Sequence, residues 1–118
     1  MILADTSVWI NHLRIGEPLL AKRLVDGEIV IHPFVTGELA CGTIKNRAEF
    51  LRDLNCLPSS TSATDVEVLQ LLEAHKLWGR GLGWIDVHLL ASAMLSNSRL
   101  WTLDSQLKRA AFDLNVAL

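Results

Sequence analysis

The sequence predicts an α/β fold, a three-layer sandwich around a mainly parallel sheet of about five strands. Short apolar or β-branched runs of strand length alternate with longer segments that carry helix caps and helical apolar spacing. Strands that are separated by helices are expected to pair in parallel through right-handed crossovers. The length of 118 residues fits one compact domain that spans residues 1–118.

The first part of the chain reads as two strands and three helices, delimited by proline and glycine. In order, we expect a strand at Ile2–Ala4, a helix at Ser7–Arg14 capped by Asp5 or Thr6, a helix that begins at Pro18 and leaves at Gly27, a strand at Glu28–Ile31, and a helix from Pro33 to near Gly42.

The remaining elements follow from two capping boxes and a strongly apolar segment. In order, we expect a helix capped by Asn46 with Glu49, a short strand around Cys56–Leu57, a helix capped by Thr64 with Glu67 that runs to about Leu77, a buried helix at Trp84–Leu95, a strand at Leu100–Leu103, a helix at Ser105–Asp113 and a last short strand at Val116–Leu118.

Composition narrows the class of protein. Hydrophobic residues make up 50% of the chain, which is ample for a core and leaves apolar surface for a partner. A net charge of -2 argues against binding nucleic acid by bulk positive charge, although a local basic rim remains compatible with it. Cys41 and Cys56 form no metal or redox motif, and neither a secretory signal nor a membrane-spanning run is visible. We therefore expect a cytoplasmic protein that does not enter a membrane.

Two acids are placed where ligands bind in parallel α/β sheets, and a third lies in the first turn of an apolar helix. Asp5 follows the first strand and Asp104 follows the strand at Leu100–Leu103. The carboxyl ends of parallel strands share one edge of the sheet, and ligands bind beyond it. Asp86 lies in the first turn of the most apolar helix, close to the expected core. Taken singly, Asp5 and Asp104 could be helix caps and Asp86 a first-turn stabiliser.

Glu38 is an acid among apolar neighbours. Its expected neighbours on the helix are Phe34, Val35 and Cys41, so we expect it on an apolar face, where a carboxylate needs a positive partner. It could instead reach solvent or pair with Lys45 or Arg47. Of the four acids, it is the one for which a role outside an active site is hardest to defend.

A shared explanation is that Asp5, Glu38, Asp86 and Asp104 converge. Two carboxylates ~4 Å apart repel by about 4 kcal/mol at an effective dielectric near 20, so the cluster needs a compensating cation. Without the metal, we expect Asp86 to have the most shifted pKa. Oxygen ligands favour Mg²⁺ or Mn²⁺, and such an ion can activate water for phosphodiester hydrolysis, leaving 5′-phosphate and 3′-hydroxyl ends. Whether one or two ions bind stays open.

These motifs resemble the PIN-domain ribonucleases and, more closely, the VapC-type toxins of toxin–antitoxin modules. The resemblance covers the whole chain, and its motifs are D-T-S-V-W-I at Asp5–Ile10, the isolated Glu38, D-V-H-L-L-A-S-A at Asp86–Ala93 and T-L-D at Thr102–Asp104.

The resemblance implies a PIN-like fold and a Mg²⁺- or Mn²⁺-dependent endoribonuclease that cuts cellular RNA. It also implies a homodimer and a cognate small antitoxin that neutralises the toxin. Carried over by position, the four acids would be the catalytic, metal-binding residues, and Thr6, Ser7 and Thr102 would be supporting hydroxyls. Asn11 stands where many relatives carry another acid, which leaves no basis for a fifth carboxylate.

Other features suggest weaker roles. The segment Gly79–Gly83 lacks the context of a nucleotide-binding loop and is interpreted as a connection. Arg80, Lys45 and Arg47 are candidate RNA contacts, with a solvated surface role favoured for each. The histidines share no metal-ligand spacing, so packing or surface roles are favoured. Trp84, near Asp86, could stack on a base, but packing is the favoured interpretation.

Two other functions are compatible with such a fold. A PIN fold could bind RNA or protein without cutting, although the intact acid set argues against this. A phosphoreceiver-like signalling domain has a similar length but needs an acid pair after the first strand and an aspartate after the third. Here Asp5 is followed by Thr6 and Ser7, which disfavours that alternative.

Overall fold

The computed structural model describes all 118 residues as seven helices around a parallel sheet. The strands are β1 (Ile2–Ala4), β2 (Ile29–Val30) and β3 (Arg99–Trp101). The helices are α1 (Thr6–Ile15), α2 (Pro18–Val25), α3 (Pro33–Ala40), α4 (Arg47–Asn55), α5 (Asp65–His75), α6 (Trp84–Leu95) and α7 (Ser105–Asp113).

The sheet has the order β2-β1-β3, with both pairings parallel. Single parallel bridges extend it on either side, from Ile31 to Ser59 and from Leu100 to Ala117. The sheet therefore has three full strands and two outer positions reduced to one bridge each. This arrangement confirms the expected α/β sandwich with a parallel sheet and places β1 at its centre.

Two sequence predictions were wrong in detail. The expected strand at Cys56–Leu57 is absent, because Cys56 ends α4 and the bridge to Ile31 forms at Ser59 instead. The expected capping box of Asn46 with Glu49 is also absent. Asn46 has a φ of 53° and makes no side-chain cap, since in this left-handed conformation its amide is not directed at the first turn of α4.

The core contains β1, β2, the middle residue of β3 and the middle of α6. A cluster of 25 buried hydrophobic residues includes every residue of β1 and β2, and Val87–Ala93 of α6 are buried without interruption. The prediction that Trp84–Leu95 is a largely buried helix is confirmed. No helix of the structure combines the length and the apolar character needed to cross a membrane.

Candidate functional site

Asp5 occupies the carboxyl end of the central strand and is buried, with 6% of its surface exposed. Its Oδ1 accepts hydrogen bonds from the Val8 backbone N–H (3.3 Å) and from Ser7 Oγ, so Asp5 is the N-cap of α1. Its Oδ2 accepts from Thr102 Oγ1 at 2.6 Å. Three donors therefore fix this carboxylate.

The loop between β3 and α7 is joined to Asp5 through the same two hydroxyls. Thr102 Oγ1 accepts from the Asp104 backbone N–H, and Ser7 Oγ accepts from the Leu103 backbone N–H, both at 3.0 Å. Asp104 then caps α7, since its Oδ1 accepts from the Leu107 N–H at 2.9 Å. The two strand-end acids thus belong to one hydrogen-bonded unit, and each also has the capping role that the sequence left open.

Glu38 approaches the same edge from α3. Its Oε1 accepts a hydrogen bond from Thr6 Oγ1 at 2.7 Å. The expectation that Glu38 lies on a buried apolar face was wrong, because Glu38 is exposed, as are its neighbours Phe34 and Cys41. Apolar residues lie on most sides of α3, so its sequence does not show which side meets the core. In the structure, Val35 and Leu39 are the residues of this helix that are buried.

Asp86 lies in the first turn of α6, and its Oδ2 accepts from the Gly83 N–H at 2.9 Å. Burial raises the pKa of Asp86, as do the nearby charges of Asp104, Asp5 and Glu38, whereas the Gly83 N–H lowers this pKa. The expectation that the pKa of Asp86 is shifted without a metal is confirmed. The structure therefore brings Asp104, Asp5 and Glu38 within electrostatic reach of Asp86.

The donor set of this acid cluster fits a hard divalent cation, since all four side chains offer oxygen. Glu38, Asp86 and Asp104 each have one carboxylate oxygen that takes no hydrogen bond within the protein. As the side chains stand, however, no three His, Cys, Asp or Glu residues are close enough together to hold one ion. Metal binding would therefore have to draw the carboxylates closer together.

The three basic residues proposed from the sequence as candidate RNA contacts are engaged to different degrees. Arg80 forms an ion pair with Asp113 of α7, with 2.7 Å between Nη2 and Oδ2. Arg47 donates to the Ala40 carbonyl from Nε (3.3 Å) and Nη2 (2.8 Å), which ties α4 to the end of α3. Lys45 is exposed. A role for any of them in RNA binding stays a prediction.

A second group of residues was not singled out by the sequence analysis. His32, Phe34, Trp84 and His88, named here the aromatic cluster, bring the first turn of α3 against the first turns of α6. The ring centroids of Phe34 and Trp84 each lie 4.8 Å from that of His88, and His32 lies 5.1 Å from Phe34. No sequence motif connects these histidines and aromatic residues, so the sequence did not predict that they lie together. Only Trp84 was considered as a residue that could stack on a base, because it is near Asp86.

Comparisons with known proteins agree with this fold. The family model described as PIN domain matches residues 2–113. Ribonuclease VapC32 of Mycobacterium tuberculosis, from strains CDC 1551 / Oshkosh and ATCC 25618 / H37Rv, is 48% identical over 119 residues, which cover 100% of this chain and 96% of the relative. The chain belongs to the PIN-domain family, in its VapC-type branch. The signalling alternative is thereby set aside.

A solved structure shares the fold. The crystal structure of PAE2754 from Pyrobaculum aerophilum matches with a TM-score of 0.62, covering 92% of this chain and 77% of that chain. The sequence identity is 18%, so this likeness concerns the fold alone.

Proposed function

We propose that this protein is an endoribonuclease toxin that depends on Mg²⁺ or Mn²⁺, hydrolyses phosphodiester bonds of cellular RNA and is neutralised by a cognate small antitoxin. One observation carries the proposal: Asp5, Glu38 and Asp104 all act electrostatically on the half-buried Asp86 at the carboxyl edge of the sheet. The likeness to Ribonuclease VapC32 supports RNA as the substrate.

In this proposal, the four acids hold the cation. A bound divalent ion would activate water and offset the negative charge that develops on the phosphodiester. The contribution of the protein is to position the carboxylates. Ser7 and Thr102 anchor Asp5, and Thr6 anchors Glu38, while metal binding would draw the acids closer together. The raised pKa of Asp86 indicates that burial, and then repulsion from the other acids, opposes its charge until a cation compensates it.

Partner binding is proposed on separate grounds. Large hydrophobic side chains are exposed along α1 and α2, as is typical of a surface that a partner covers. They are Ile10 (43% exposed), Leu13 (41%), Ile15 (80%), Leu19 (41%) and Val25 (87%). This surface supports an antitoxin that buries apolar residues on it. The family resemblance supports a homodimer, which light scattering of the purified protein would test.

The enzymatic proposal is tested by incubating the protein with cellular RNA in Mg²⁺ or Mn²⁺, with and without EDTA. The matched variants are Asp86→Asn, which removes one site charge, and Glu73→Gln, which removes an exposed charge outside the acid cluster. We expect cleavage by the wild type and Glu73→Gln only, with 5′-phosphate and 3′-hydroxyl products. Cleavage in EDTA, or full activity of Asp86→Asn, would contradict the mechanism. RNA binding without cleavage would identify a catalytically silent PIN fold instead.

A further inference from the structure

The aromatic cluster has two rings that are partly exposed to solvent and two histidines that are buried. Phe34 is 37% exposed and Trp84 is 42% exposed, whereas His32 and His88 are 1% and 2% exposed. The ring planes of Phe34 and Trp84 stand at 66° and 82° to that of His88, so both large rings meet this histidine at steep angles. Two partly exposed aromatic rings therefore converge on one buried polar side chain.

The histidines beneath these rings leave polar atoms without partners. His32 Nδ1 accepts a hydrogen bond from the Phe34 backbone N–H at 3.0 Å, so a neutral His32 carries its proton on Nε2. That buried Nε2 has no hydrogen-bond partner, and neither has the buried Nε2 of His88, which lies 3.2 Å from Asp65 Oδ1 without hydrogen-bond alignment. Buried polar atoms that lack a partner within the protein cost stability.

The aromatic cluster adjoins the acid cluster along α3. Phe34 is one turn before Glu38 on the same face of this helix. Trp84 lies beside Phe34, because both rings pack against His88. A nucleotide whose phosphate lies at Glu38 would therefore have its base within reach of these two rings.

We propose that Phe34 and Trp84 form a stacking site for one unpaired base of the RNA, next to the phosphate that is cut. Aromatic side chains are the usual partners of unstacked bases in single-stranded RNA, and stacking accepts any base. This inference rests on the proposed endoribonuclease function and adds to it the two side chains that position the RNA next to the cut.

The test uses a single-stranded RNA oligonucleotide that the wild type cleaves, selected from a random-sequence pool in Mg²⁺. Each nucleotide near the cut is replaced in turn by an abasic one. We expect one abasic position to lower kcat/KM by about 10-fold for the wild type. Trp84→Leu and Phe34→Leu should lose a similar factor on intact RNA and should be insensitive to that abasic position. Trp84→Phe should retain the sensitivity, and Trp78→Leu, an exposed tryptophan outside the cluster, should match the wild type.

Several results would overturn the stacking site. One is a wild type without a sensitive abasic position, which needs no variant and so does not depend on how well the leucine variants fold. Another is leucine variants that lose activity yet keep the abasic sensitivity, as a packing role predicts. A third is leucine variants that cut normally but bind the antitoxin less tightly, which would assign the cluster to a protein partner. If the wild type cut no RNA in the pool with Mg²⁺ or Mn²⁺, the proposed function itself would fail.

Discussion

The acid cluster has two halves that the fold supports very differently. The strand half, Asp5 and Asp104, follows β1 and β3, and both carboxylates cap helices. The hydroxyls of Ser7 and Thr102 donate to the Asp5 carboxylate, and Asp104 is joined to this unit through its backbone N–H. The helix half, Glu38 and Asp86, has one hydrogen bond to each carboxylate. The charge of Asp5 is therefore compensated by three donors, whereas the charges of the helix half would be compensated by a cation. The strand half should therefore serve stability and chemistry together, and the helix half chemistry at the expense of stability.

The largest expected effect concerns the helix half. Asp86→Asn should lower cleavage about 100- to 1000-fold, because one metal ligand and its charge are lost. The same change should raise the melting temperature of the metal-free protein, since a half-buried charge that three other acids repel is removed. Calorimetry in EDTA and cleavage assays in Mg²⁺ measure the two effects. Lower stability together with lost activity would show that the helix half is structural after all.

The strand half should respond in the opposite way. Asp5→Ala leaves Ser7 Oγ, Thr102 Oγ1 and the Val8 N–H without their acceptor, so we expect a loss of about 3 kcal/mol in the free energy of unfolding without metal. Asp104→Ala removes only an exposed cap and should cost about 1 kcal/mol. Denaturant titrations in EDTA give both values. Equal losses would mean that burial and the shared hydroxyls do not separate the two acids.

A pH-dependent effect is expected beside the helix half. Burial, and secondarily the charge of His88, lowers the pKa of His32 from 6.5 to about 4. Between these pH values the unfolded chain binds more protons than the folded protein. The stability that neutral His32 contributes is therefore complete above pH 6.5 and is lost as the pH drops from 6.5 to 4. The loss attributable to His32 is at most about 3 kcal/mol.

This effect can be isolated with His32→Asn. Asparagine can cap α3 in place of the imidazole but does not titrate. The slope of unfolding free energy against pH should be shallower for the variant between pH 4 and 6.5, whatever its absolute stability. Parallel slopes for the two proteins would show that other groups control the acid sensitivity.

The smallest expected effect concerns Thr6, whose hydroxyl donates to Glu38. Thr6→Val should change the free energy of unfolding by less than about 1 kcal/mol, because this hydrogen bond is exposed. Cleavage should fall about 10-fold, since a residue that orients a metal ligand is lost. Thr6→Ser keeps a hydroxyl and should recover most of the activity. If Thr6→Val cleaved like the wild type, Glu38 would need no fixed orientation.

The elements with strong local signals could be predicted from sequence. The apolar length of Trp84–Leu95 and the cap before Ser105–Asp113 predicted α6 and α7 with their observed bounds. The outer strands could not be predicted well, because a single bridge such as that of Ser59 depends on how the chain folds back and not on its own residues. Asn46 resembled a cap in sequence, but its left-handed backbone prevents the capping contact.

The candidate site likewise has features that could be predicted from the sequence and features that could not. Position after a strand drew attention to Asp5 and Asp104, and the apolar surroundings of Asp86 predicted its raised pKa. Glu38 was selected for a place on an apolar face, but it is exposed in the structure. The pairing of Thr102 with Asp5 spans 97 residues, and no local pattern shows which oxygen a hydroxyl will reach at that separation. The aromatic cluster escaped prediction for a similar reason, because α3 and α6 meet only in the folded chain.

The hydrogen bond between Thr102 and Asp5 also bears on the synthesis of the protein. β1 is made first, yet its partner β3 and the acid Asp104 are made almost last. A ribosome that has passed Asp86 but not Asp104 carries a chain that has Asp5, Glu38 and Asp86 but no complete acid cluster. We therefore expect the proposed site to be assembled only after the late segment has joined the first strand.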